Sequence, residues 1–507
     1  ILKWKPPEFL SIDFRVKFYY ENEQKPKVVR INGKDYQVMT LESAYGGKIS
    51  AFEPSCYRVK DYNKLYMPLE GGQPQLIEKE GYRSEESTLG HVIRNNDILE
   101  FVWVPDRSFG NDYWGIWWPI KYREDKTSNG FPNGYRVVSD TTWMAIHDQQ
   151  VLPINLMDPF GEEYQSPQLD LGYYQNQNRD VAPELRNIHN GIKSILLFLA
   201  IKQSGSNSRR LMDLATGRGG DLAKWAGVNY VFGIEYDESN IKMGDSSAYG
   251  RYRGMIESNQ RNDRKPGFVM DLIQGDMKEP FGDNRVSNES IYNHIMKEKL
   301  GNNPESFGII SCQFAMHYAC DTEEHLETFI RNISENLSPN GFFVATAFDG
   351  GKILADLQTT DKTDEDGQPL ILGKVDGKIM WSIASPVKYK KMESIGQKII
   401  VFNKTIKDDT EVEYLVNFNY VLEVAKKYNL YPGKLTFGKH SLPSEGYGVG
   451  SFSEIYDEDY LKLVSSTTFP KGTPKFKELE ISYQKIPLDI KKYSKYSSFL
   501  ILRKQQQ

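Results

Sequence analysis

The first part of the chain alternates hydrophobic and polar residues with a period of two. From about residue 11 to residue 148, turn-rich pieces such as NGK and PLEGGQP separate the runs SIDFRVKFYY, DILEFVWV, WGIWWPIKY and GYRVVSD. This period predicts strands with one buried face, because successive side chains of a strand point to opposite sides of a sheet. We therefore expect an antiparallel β unit, a small barrel or a sandwich.

The second part of the chain has a different pattern. After about residue 186, helical patterns such as IHNGIKSILLFLAI and EEHLETFIRNISENL alternate with apolar runs such as RRLMDL, YVFGIEY, FGIISCQF and GFFVATAF. This alternation predicts a parallel sheet covered by helices. Residues 151–185 mix proline, glycine and polar residues without a period, which is typical of a linker. The predicted fold class is therefore α+β multidomain, with an antiparallel β unit followed by an α/β domain.

Composition narrows the class of protein. A chain of 507 residues is long enough for two or three domains, and it contains no apolar run near the roughly 18 residues that span a bilayer, so we expect no membrane partner. The three cysteines form no CxxC pair and have no histidine at ligand spacing, so neither a disulfide framework nor a metal site is expected. The net charge of −5 means that a polyanion must bind to local basic runs such as VKYKK and DIKKYSKY, although such runs are more often solvated faces.

The stretch LMDLATGRGGDLAKW contains the first candidate site. We expect a buried strand that ends at Asp213, a glycine turn, and a helix that starts at DLAKWA. The spacing of Asp213 and the glycines, D-x-x-x-G-x-G-G, differs from the G-x-G-x-x-G of a dinucleotide site. Asp213 and Asp221 would repel a diphosphate but could hold an ammonium group.

Two further strand ends extend this site. The run GIEYD places Glu235 where a carboxylate can accept both ribose hydroxyls, and LIQGD places Asp276 within reach of an adenine amine. The ends of neighbouring parallel strands meet at one edge of a sheet, so the three acids should lie together. A ligand with an amino-acid end, a ribose and an adenine is S-adenosylmethionine. The alternative is a tight structural turn without a ligand.

Four segments resemble the cap guanine-N7 methyltransferases: LRNIHNGIKSILL, DLATGRGGDLAKW, IISCQFAMHYAC and VEYLVNF. The resemblance covers about residues 186–507 and implies a class I (Rossmann-like) S-adenosylmethionine-dependent methyltransferase domain that acts on the capped 5′ end of RNA. The sequence departs from the family at Thr216, where the family usually has cysteine, and at Glu235, where it usually has aspartate. Both changes conserve the chemistry.

The resemblance also implies roles for individual residues. The cofactor contacts would be Lys193, Asp213, Gly217, Asp221, Glu235, Asp276 and Gln313, and the pocket for the cap guanine would be formed by Phe314, His317, Tyr318, Glu413 and Tyr496. No residue is expected to act as a catalytic acid or base, because guanine N7 carries a free lone pair and no proton. Alternatively, His317 is a core histidine whose ring nitrogens form hydrogen bonds within the protein and do not contact a ligand.

The first residues resemble a second family, the covalent nucleotidyltransferases. LKWKP with SIDF is similar to their fifth motif, and WWPIKYREDKTSNGFPN is similar to the sixth. The resemblance implies that Lys3, Lys5, Arg123, Asp125 and Lys126 act on nucleotide phosphates. The family's nucleophile is the lysine of K-x-D-G. We reject the KVDG at Lys374–Gly377 for that role, because it follows both motifs and its Asp-Gly predicts a hairpin turn.

The two resemblances together predict the order of the domains. Residues 1–15 would end a nucleotidyltransferase domain, residues 16–150 would form an OB-fold-like barrel, residues 151–185 a linker, and residues 186–507 the methyltransferase. The start ILKWKPPEF, without methionine, suggests the carboxyl-terminal part of a multifunctional mRNA capping enzyme of the large-DNA-virus type. The full-length parent would also be an mRNA guanylyltransferase, which is incomplete here.

That interpretation implies further partners and a location. GTP would bind through the missing upstream domain, Mg²⁺ would serve only the guanylyltransferase reaction, and a stimulatory subunit would be a further partner. We expect a cytoplasmic location, in a viral factory or virion if the source is viral. Three alternatives stay open: a fragment of a nucleic-acid ligase, a non-catalytic RNA-binding capping subunit, and methylation of a ribose 2′-oxygen.

Overall fold

The computed structural model describes most of the chain in two compact units. Described are residues 10–20, 25–31, 33–56, 62–78, 88–104, 116–147, 182–204, 209–242, 245–264, 267–281, 307–405, 409–438, 440–458, 460–467 and 471–505. The first unit comprises residues 1–165 together with 249–266, and the second comprises residues 166–248 and 267–507.

An antiparallel sheet forms the frame of the first unit. Its strands are β1 (Ser11–Phe18), β2 (Val28–Ile31), β3 (Lys34–Tyr45), β4 (Lys48–Ala51), β5 (Lys64–Glu70), β6 (Gln73–Pro74), β7 (Ile98–Val104) and β8 (Ile116–Tyr122). Their order is β6-β5-β3-β1-β7-β8, with β2 and β4 paired to β3. Strand β8 also contacts β5, so the two sides of the sheet curl towards each other. Strand β1 begins inside the range that was expected to end the nucleotidyltransferase domain.

Aromatic side chains fill the core of this unit. Phe14 of β1 lies 5.0 Å from Phe52 and 5.1 Å from Trp117, measured between ring centroids. Trp143 packs edge-on against Trp103 at 4.9 Å. The alternation in SIDFRVKF therefore buries the expected face of β1, and the prediction of an antiparallel β unit is confirmed.

The run GYRVVSD is helical, so its assignment to a strand was wrong. Helix α1 (Glu124–Asn129) precedes it, a π-helical turn covers Tyr135–Ser139, and α2 (Asp140–His147) follows directly. Tyr135 and Ser139 are buried, whereas Val137 between them is 81% exposed. Burial at positions i and i+4 is typical of a helix. The β-branched residues Val137 and Val138 favoured the incorrect assignment to a strand.

The central sheet of the second unit has the order β11-β10-β9-β12-β13-β22-β18. Its strands are β9 (Arg210–Leu214), β10 (Tyr230–Glu235), β11 (Val269–Gln274), β12 (Phe307–Gln313), β13 (Leu337–Phe348), β18 (Leu430–Pro432) and β22 (Ser497–Lys504), with β21 (Val449–Ser451) paired to β22. Strands β9 to β13 run parallel, and β22 is antiparallel to both β13 and β18. This is the class I arrangement that the resemblance implied.

Two smaller sheets complete this unit. One consists of β14 (Leu370–Val375), β15 (Lys378–Ala384), β16 (Lys398–Asn403) and β17 (Thr410–Tyr414), and the other of β19 (Leu435–Phe437) and β20 (His440–Leu442). Asp376 and Gly377 join β14 to β15 with φ of 51° and 77°. Positive φ at both turn residues is the geometry that Asp-Gly hairpins favour. The hairpin prediction for KVDG is confirmed.

The helices of the remaining chain are α3 (Pro183–Gln203), α4 (Glu238–Lys242), α5 (Ala248–Arg261), α6 (Glu323–Asn336), α7 (Gly350–Thr359), α8 (Phe418–Lys427), α9 (Phe452–Glu458), α10 (Tyr460–Thr467), α11 (Pro474–Lys485) and α12 (Leu488–Lys495). The expected helix at DLAKWA is only a 3₁₀ turn, Leu222–Lys224. Leu222 and Trp225 are both buried by this turn, and Gly227 with φ 102° then redirects the chain. The helical spacing of DLAKWA therefore corresponds to one turn and not to a longer helix.

Residues 249–261 of α5 belong to the first unit, although α5 lies between β10 and β11 in sequence. Arg253 Nε lies 2.7 Å from the carboxylate of Asp140, which is fully buried at the start of α2. The same carboxylate accepts hydrogen bonds from the backbone and hydroxyl of Ser55. Burial raises the pKa of Asp140, and Arg253 and Ser55 oppose that rise. This ion pair anchors α5 in the first unit.

Candidate functional site

A cavity of about 470 Å³ opens at the carboxyl ends of the parallel strands of the second unit. Chain order reverses at β9, since β10 lies on one side of it and β12 on the other; ligands of such sheets bind at this point. Six of the predicted site residues line the cavity: Gly217, Glu235, Asp276, Gln313, Phe314 and Tyr318. The other predicted residues of this unit, Lys193, Asp213, Asp221, His317, Glu413 and Tyr496, lie outside that lining.

Glu235 fixes the glycine turn at the cavity. Its carboxylate accepts hydrogen bonds from the backbone N–H of Gly217 at 2.7 Å and from the side chain of Asn240 at 3.1 Å. Gly217 has φ 55°, in the region that glycine occupies without strain. Burial raises the pKa of Glu235, and these hydrogen bonds oppose the rise. Glu235 therefore shapes the turn and also presents a carboxylate to the cavity.

Asp213 is a buried carboxylate with an unused acceptor. It lies in β9 next to Leu214, opposite Ser311 of β12, and only 3% of its surface is exposed. Within the described part of the chain, its Oδ1 has no hydrogen-bond partner. Burial and the charge of Asp221 raise its pKa to about 8. A buried acceptor of this kind fits a cationic ligand, because an ammonium group would supply both the missing donor and a compensating charge.

Asp221 is neutralised by two lysines. Its carboxylate lies 2.8 Å from Lys193 Nζ and 2.6 Å from Lys224 Nζ. Burial disfavours its charge, but Lys193 and Lys224 outweigh this effect and hold its pKa below the usual value. Of the two acids, Asp213 is therefore the one that still has a carboxylate oxygen with neither a hydrogen-bond donor nor a lysine at ion-pair distance among the described residues. Sequence reasoning did not find Lys224, whose position at i+3 from Asp221 was the available signal.

Two further polar residues border the cavity. The Gln313 amide donates to Val344 O at 3.0 Å and accepts from Thr346 Oγ1 at 3.1 Å, so its orientation is fixed. Asp276 follows β11 and caps its own turn by accepting from the backbone of Lys278. These contacts hold both side chains rigidly at the strand ends, which favours ligand binding without rearrangement.

His317 and Glu413 form a buried pair from different elements. His317 lies in the 3₁₀ turn Met316–Cys320, and Glu413 lies in β17 opposite Ile399. Their Nε2 and Oε2 atoms are 3.8 Å apart, and His317 Nε2 has no hydrogen-bond partner in the described residues. Burial lowers the pKa of His317 to about 3 and raises that of Glu413 to about 8, with a further contribution from Glu411. Burial therefore disfavours the charged forms of both groups, and the pair is mainly neutral at pH 7.

Tyr496 lies in a separate apolar cluster. Its hydroxyl donates to Asp356 of α7, and its ring packs edge-on against Trp381 at 5.9 Å. It is 4% exposed. The side chain of Tyr496 therefore packs within this cluster. In the chain, Tyr496 lies between the end of α12 and the start of β22.

The predicted phosphate contacts of the first unit are held by acids. Arg123 Nη1 lies 2.8 Å from the buried carboxylate of Asp13, and Lys126 contacts the same carboxylate. Arg123 Nη2 lies 2.9 Å from Asp125. Lys3 and Lys5 lie outside the described residues. The sixth-motif residues therefore form one ion-pair network with Asp13, a partner that sequence reasoning did not identify.

Membrane-spanning helices and metal clusters are both absent from the described residues. In that part of the chain, no helix is long and apolar enough to cross a membrane. The same residues contain no group of three or more histidine, cysteine or acidic side chains arranged to hold a metal ion.

Comparison with known sequences identifies the domain that surrounds the cavity. The family model of the mRNA (guanine-N(7))-methyltransferase domain matches residues 163–441. The chain is 26% identical over 385 residues to a "Probable mRNA-capping enzyme" of Acanthamoeba polyphaga mimivirus, covering 69% of this chain and 31% of that protein. It is 28% identical over 271 residues to "mRNA cap guanine-N(7) methyltransferase 1" of Arabidopsis thaliana, covering 52% of this chain and 63% of that protein. The chain thus spans less than two thirds of both relatives.

Solved structures also superimpose on the chain. An S-adenosylmethionine-dependent methyltransferase from Clostridium acetobutylicum covers 63% of this chain and 92% of its own, with a TM-score of 0.31 and 10% identity. A second, from Listeria monocytogenes, covers 62% of this chain and 100% of its own, with a TM-score of 0.28 and 13% identity. At these scores the class I fold is established by the strand order and not by the superposition.

Proposed function

Because this chain belongs to the mRNA (guanine-N(7))-methyltransferase family, we propose that it transfers a methyl group from S-adenosylmethionine to N7 of the cap guanine of mRNA. The observation that carries the proposal is the cavity at the switch point of the sheet. Acidic strand ends border one part of it, and Phe314 and Tyr318 of the SCQFAMHY segment border another. Cofactor and acceptor could therefore meet in one space.

Each acid is proposed to bind a different group of the cofactor. Glu235 and Asp276, which line the cavity, would accept the ribose hydroxyls and the adenine amine, respectively. Asp213 lies outside that lining, and its Oδ1, which has no hydrogen-bond partner among the described residues, would accept the ammonium group of the methionine end. Lys193 would act mainly through Asp221, to which it is bound. Each charge-assisted hydrogen bond of this kind contributes about 1.5–3 kcal/mol. When bound, the cofactor supplies the electrophilic methyl group.

The reaction at N7 needs positioning rather than proton transfer. Guanine N7 has a free lone pair, so an in-line displacement at the methyl carbon requires no base. Burial lowers the pKa of His317, so its imidazole carries no positive charge that would repel the sulfonium cofactor. Phe314 and Tyr318 would hold the guanine plane in line with the methyl group.

Glu413 and His317 are suited to recognise the guanine edge. Ionised Glu413 could accept hydrogen bonds from the guanine N1–H and exocyclic amine, while His317 Nε2 supplies a further polar contact. Tyr496, the last aromatic assigned to this pocket, would have to leave its contact with Asp356 or act through β22. In the conformation described here, its ring packs against Trp381 instead.

Capped RNA is the proposed partner. The chain has a net charge of −5, but Lys388, Lys390 and Lys391 are exposed in the segment between β15 and β16. The backbone of this segment is fixed, because Gln358 donates to the carbonyls of Tyr389 and Lys390. A fixed row of exposed lysines suits the phosphates of an RNA that extends from the cap. A stimulatory subunit could share this surface.

The first unit is proposed to be the OB-fold of a guanylyltransferase that uses GTP and Mg²⁺ when its other domains are present. The antiparallel sheet and the contact between β8 and β5 support a barrel. The similarity to a "Probable mRNA-capping enzyme" of mimivirus supports the association with capping. Arg123 and Lys126 would reach phosphate only by leaving Asp13.

A cap-analogue assay tests the proposed activity. The protein is incubated with labelled S-adenosylmethionine and either GpppA or ApppA, and methyl incorporation is measured. We expect incorporation with GpppA and none with ApppA, because ApppA has no guanine. Equal incorporation with both analogues, or none with either, would exclude the function. Asp361→Asn, a change at an exposed acid, serves as the control variant and should behave as the parent.

A further inference from the structure

Helix α3 presents a histidine ring to Phe314. The rings of His189 and Phe314 are stacked, with centroids 5.1 Å apart and planes at 15°. Phe452 of α9 meets both rings edge-on, at 5.4 Å from His189 and 5.9 Å from Phe314. Lys193, one turn after His189, places its Nζ 5.9 Å from the Phe314 centroid. Three side chains from two helices therefore surround an aromatic ring that borders the cavity.

The backbone of Phe314 is strained. Its φ is 57°, in the left-handed region that bulky residues rarely adopt. Its N–H donates to Thr346 O at 2.9 Å and to Thr346 Oγ1 at 3.1 Å, which fixes the turn at the end of β12. Strain of this kind persists only where surrounding contacts hold it, and it concentrates at ligand sites. The stacked His189 is one of those contacts.

His189 also reaches the carboxyl-terminal part of the chain. Its Nε2 lies 3.0 Å from Ser494 Oγ, and Ser494 is buried in α12, two residues before Tyr496. Burial and the charge of Lys193 lower the pKa of His189 to about 3, so the ring is neutral at physiological pH. A neutral imidazole can stack on Phe314 without adding a second positive charge next to Lys193.

We propose that His189 is a positioning residue that holds the strained Phe314 ring at the cavity and ties it to α12 through Ser494. The identity of the affected ligand, the cap guanine, rests on the proposed function. The positioning itself does not, because it concerns the conformation of Phe314 in the protein without ligand.

Three variants separate stacking from hydrogen bonding. His189→Ala removes both contacts, His189→Phe keeps a ring without Nε2, and Ser494→Ala removes only the hydrogen-bond partner. His440→Ala is the control, because His440 is an exposed histidine of β20. All variants are first compared by thermal unfolding, so that a variant that fails to fold is recognised; His189→Phe then carries the test.

Hydrogen exchange of the amide of Phe314, followed by mass spectrometry of the unliganded protein, tests the positioning. We expect the fastest exchange in His189→Ala, a smaller increase in His189→Phe and Ser494→Ala, which lose the hydrogen bond but keep a stacked ring, and parental exchange in His440→Ala. Parental exchange in His189→Ala would overturn the proposal. So would equally fast exchange in His189→Ala and His189→Phe, since a ring would then not restore the contact. This readout does not depend on methylation, so its failure is distinguishable from failure of the proposed function.

Kinetics test the consequence for the cap. The KM for GpppA should rise roughly two- to tenfold in His189→Ala, the range of an aromatic stacking contact, and return towards the parent in His189→Phe. The Kd for S-adenosylhomocysteine should change less than about twofold, because Glu235 and Asp276 keep their contacts. An unchanged KM in His189→Ala, with faster exchange at Phe314, would show that the ring does not serve the cap and would overturn this part.

Discussion

Glu413 is the residue whose ionisation decides what the proposed guanine pocket can bind. It is 5% exposed, and burial raises its pKa to about 8, so the free protein holds it mainly as a neutral acid at pH 7. A neutral carboxylic acid has one oxygen occupied by a proton, which weakens acceptance of two hydrogen bonds from guanine. The pH dependence of the reaction should therefore report this group.

We expect kcat/KM for GpppA to rise with pH, to reach half of its maximum near pH 8 and to level off about one pH unit above that, because this ratio reports ionisation in the free enzyme. Cofactor is kept saturating, since the pKa of Asp213 also lies at about 8 and its ionisation would otherwise affect cofactor binding. Glu413→Gln should give lower values that do not change over the same range. A Glu413→Gln profile that rises like that of the parent would remove Glu413 from the pocket.

Stability should change with pH in the opposite direction. The folded pKa of Glu413 lies above its unfolded value of about 4.5, so the folded state favours the protonated form. The contribution of Glu413 to stability is therefore fully present below about pH 4.5 and is lost as pH rises through about 8. Glu413→Gln, which carries no charge, should raise the melting temperature relative to the parent at about pH 8.5. A lower melting temperature at that pH would contradict the direction of the shift.

Asp213 should be required for the cofactor but not for the fold. Asp213→Asn keeps the shape of the side chain and removes a buried acid whose charged form is disfavoured by burial and by Asp221. The Kd for S-adenosylhomocysteine, measured by calorimetry, should rise, because the charge-assisted bond to the ammonium group is lost. The binding free energy should weaken by about 1.5–3 kcal/mol. The melting temperature should stay the same or rise. An unchanged Kd would remove Asp213 from the cofactor site.

At the scale of elements, the ion pair between α2 and α5 should dominate the stability of the first unit. Asp140→Asn leaves Arg253 buried without a counter-charge, which costs about 3 kcal/mol or more. Lys48→Ala, which breaks an exposed ion pair with Asp263 in the same unit, is the matched control and should change stability little. Denaturation followed by tryptophan fluorescence reports this unit, because six of the eight tryptophans lie in residues 1–165. Equal stability of the two variants would contradict the role of the pair.

The predictability of an element depended on how it is buried. Strands β9 to β13 were predictable, because strands covered on both faces read as continuous apolar runs. The prediction of a strand at GYRVVSD was wrong, because its two valines resemble the alternation of a strand although the run leads directly into α2. The helix predicted at DLAKWA is a single 3₁₀ turn, which is too short for its period to be read. Glu235 and Asp276 could be placed at the cavity from sequence, since parallel strands end at one edge, whereas Asp213 lies outside the cavity lining. The contact of His189 with Phe314 could not, because it joins α3 to the end of β12, far apart along the chain.

At the scale of the whole molecule, the charge distribution predicts how RNA length should matter. Alanine at Lys388, Lys390 and Lys391 should weaken binding of a capped RNA of about 20 nucleotides. The slope of log affinity against log salt should become shallower by about 0.7 for each phosphate that is no longer neutralised. Binding of GpppA should change little. Alanine at the lysines of another surface, Lys471, Lys475 and Lys477, is the control, and an equal decrease in both triple variants would show that the first segment has no special role.

The atom that receives the methyl group distinguishes the proposed reaction from its alternatives. Capped GpppA-RNA is incubated with the protein and labelled S-adenosylmethionine, digested with nuclease, and separated so that label on the cap guanine is resolved from label on the first nucleotide. The family, the cavity beside Phe314, and a site that needs no catalytic base all favour N7. We predict that the label is recovered as 7-methylguanosine. Recovery on the 2′-oxygen of the adenosine, or in neither position, would contradict the account.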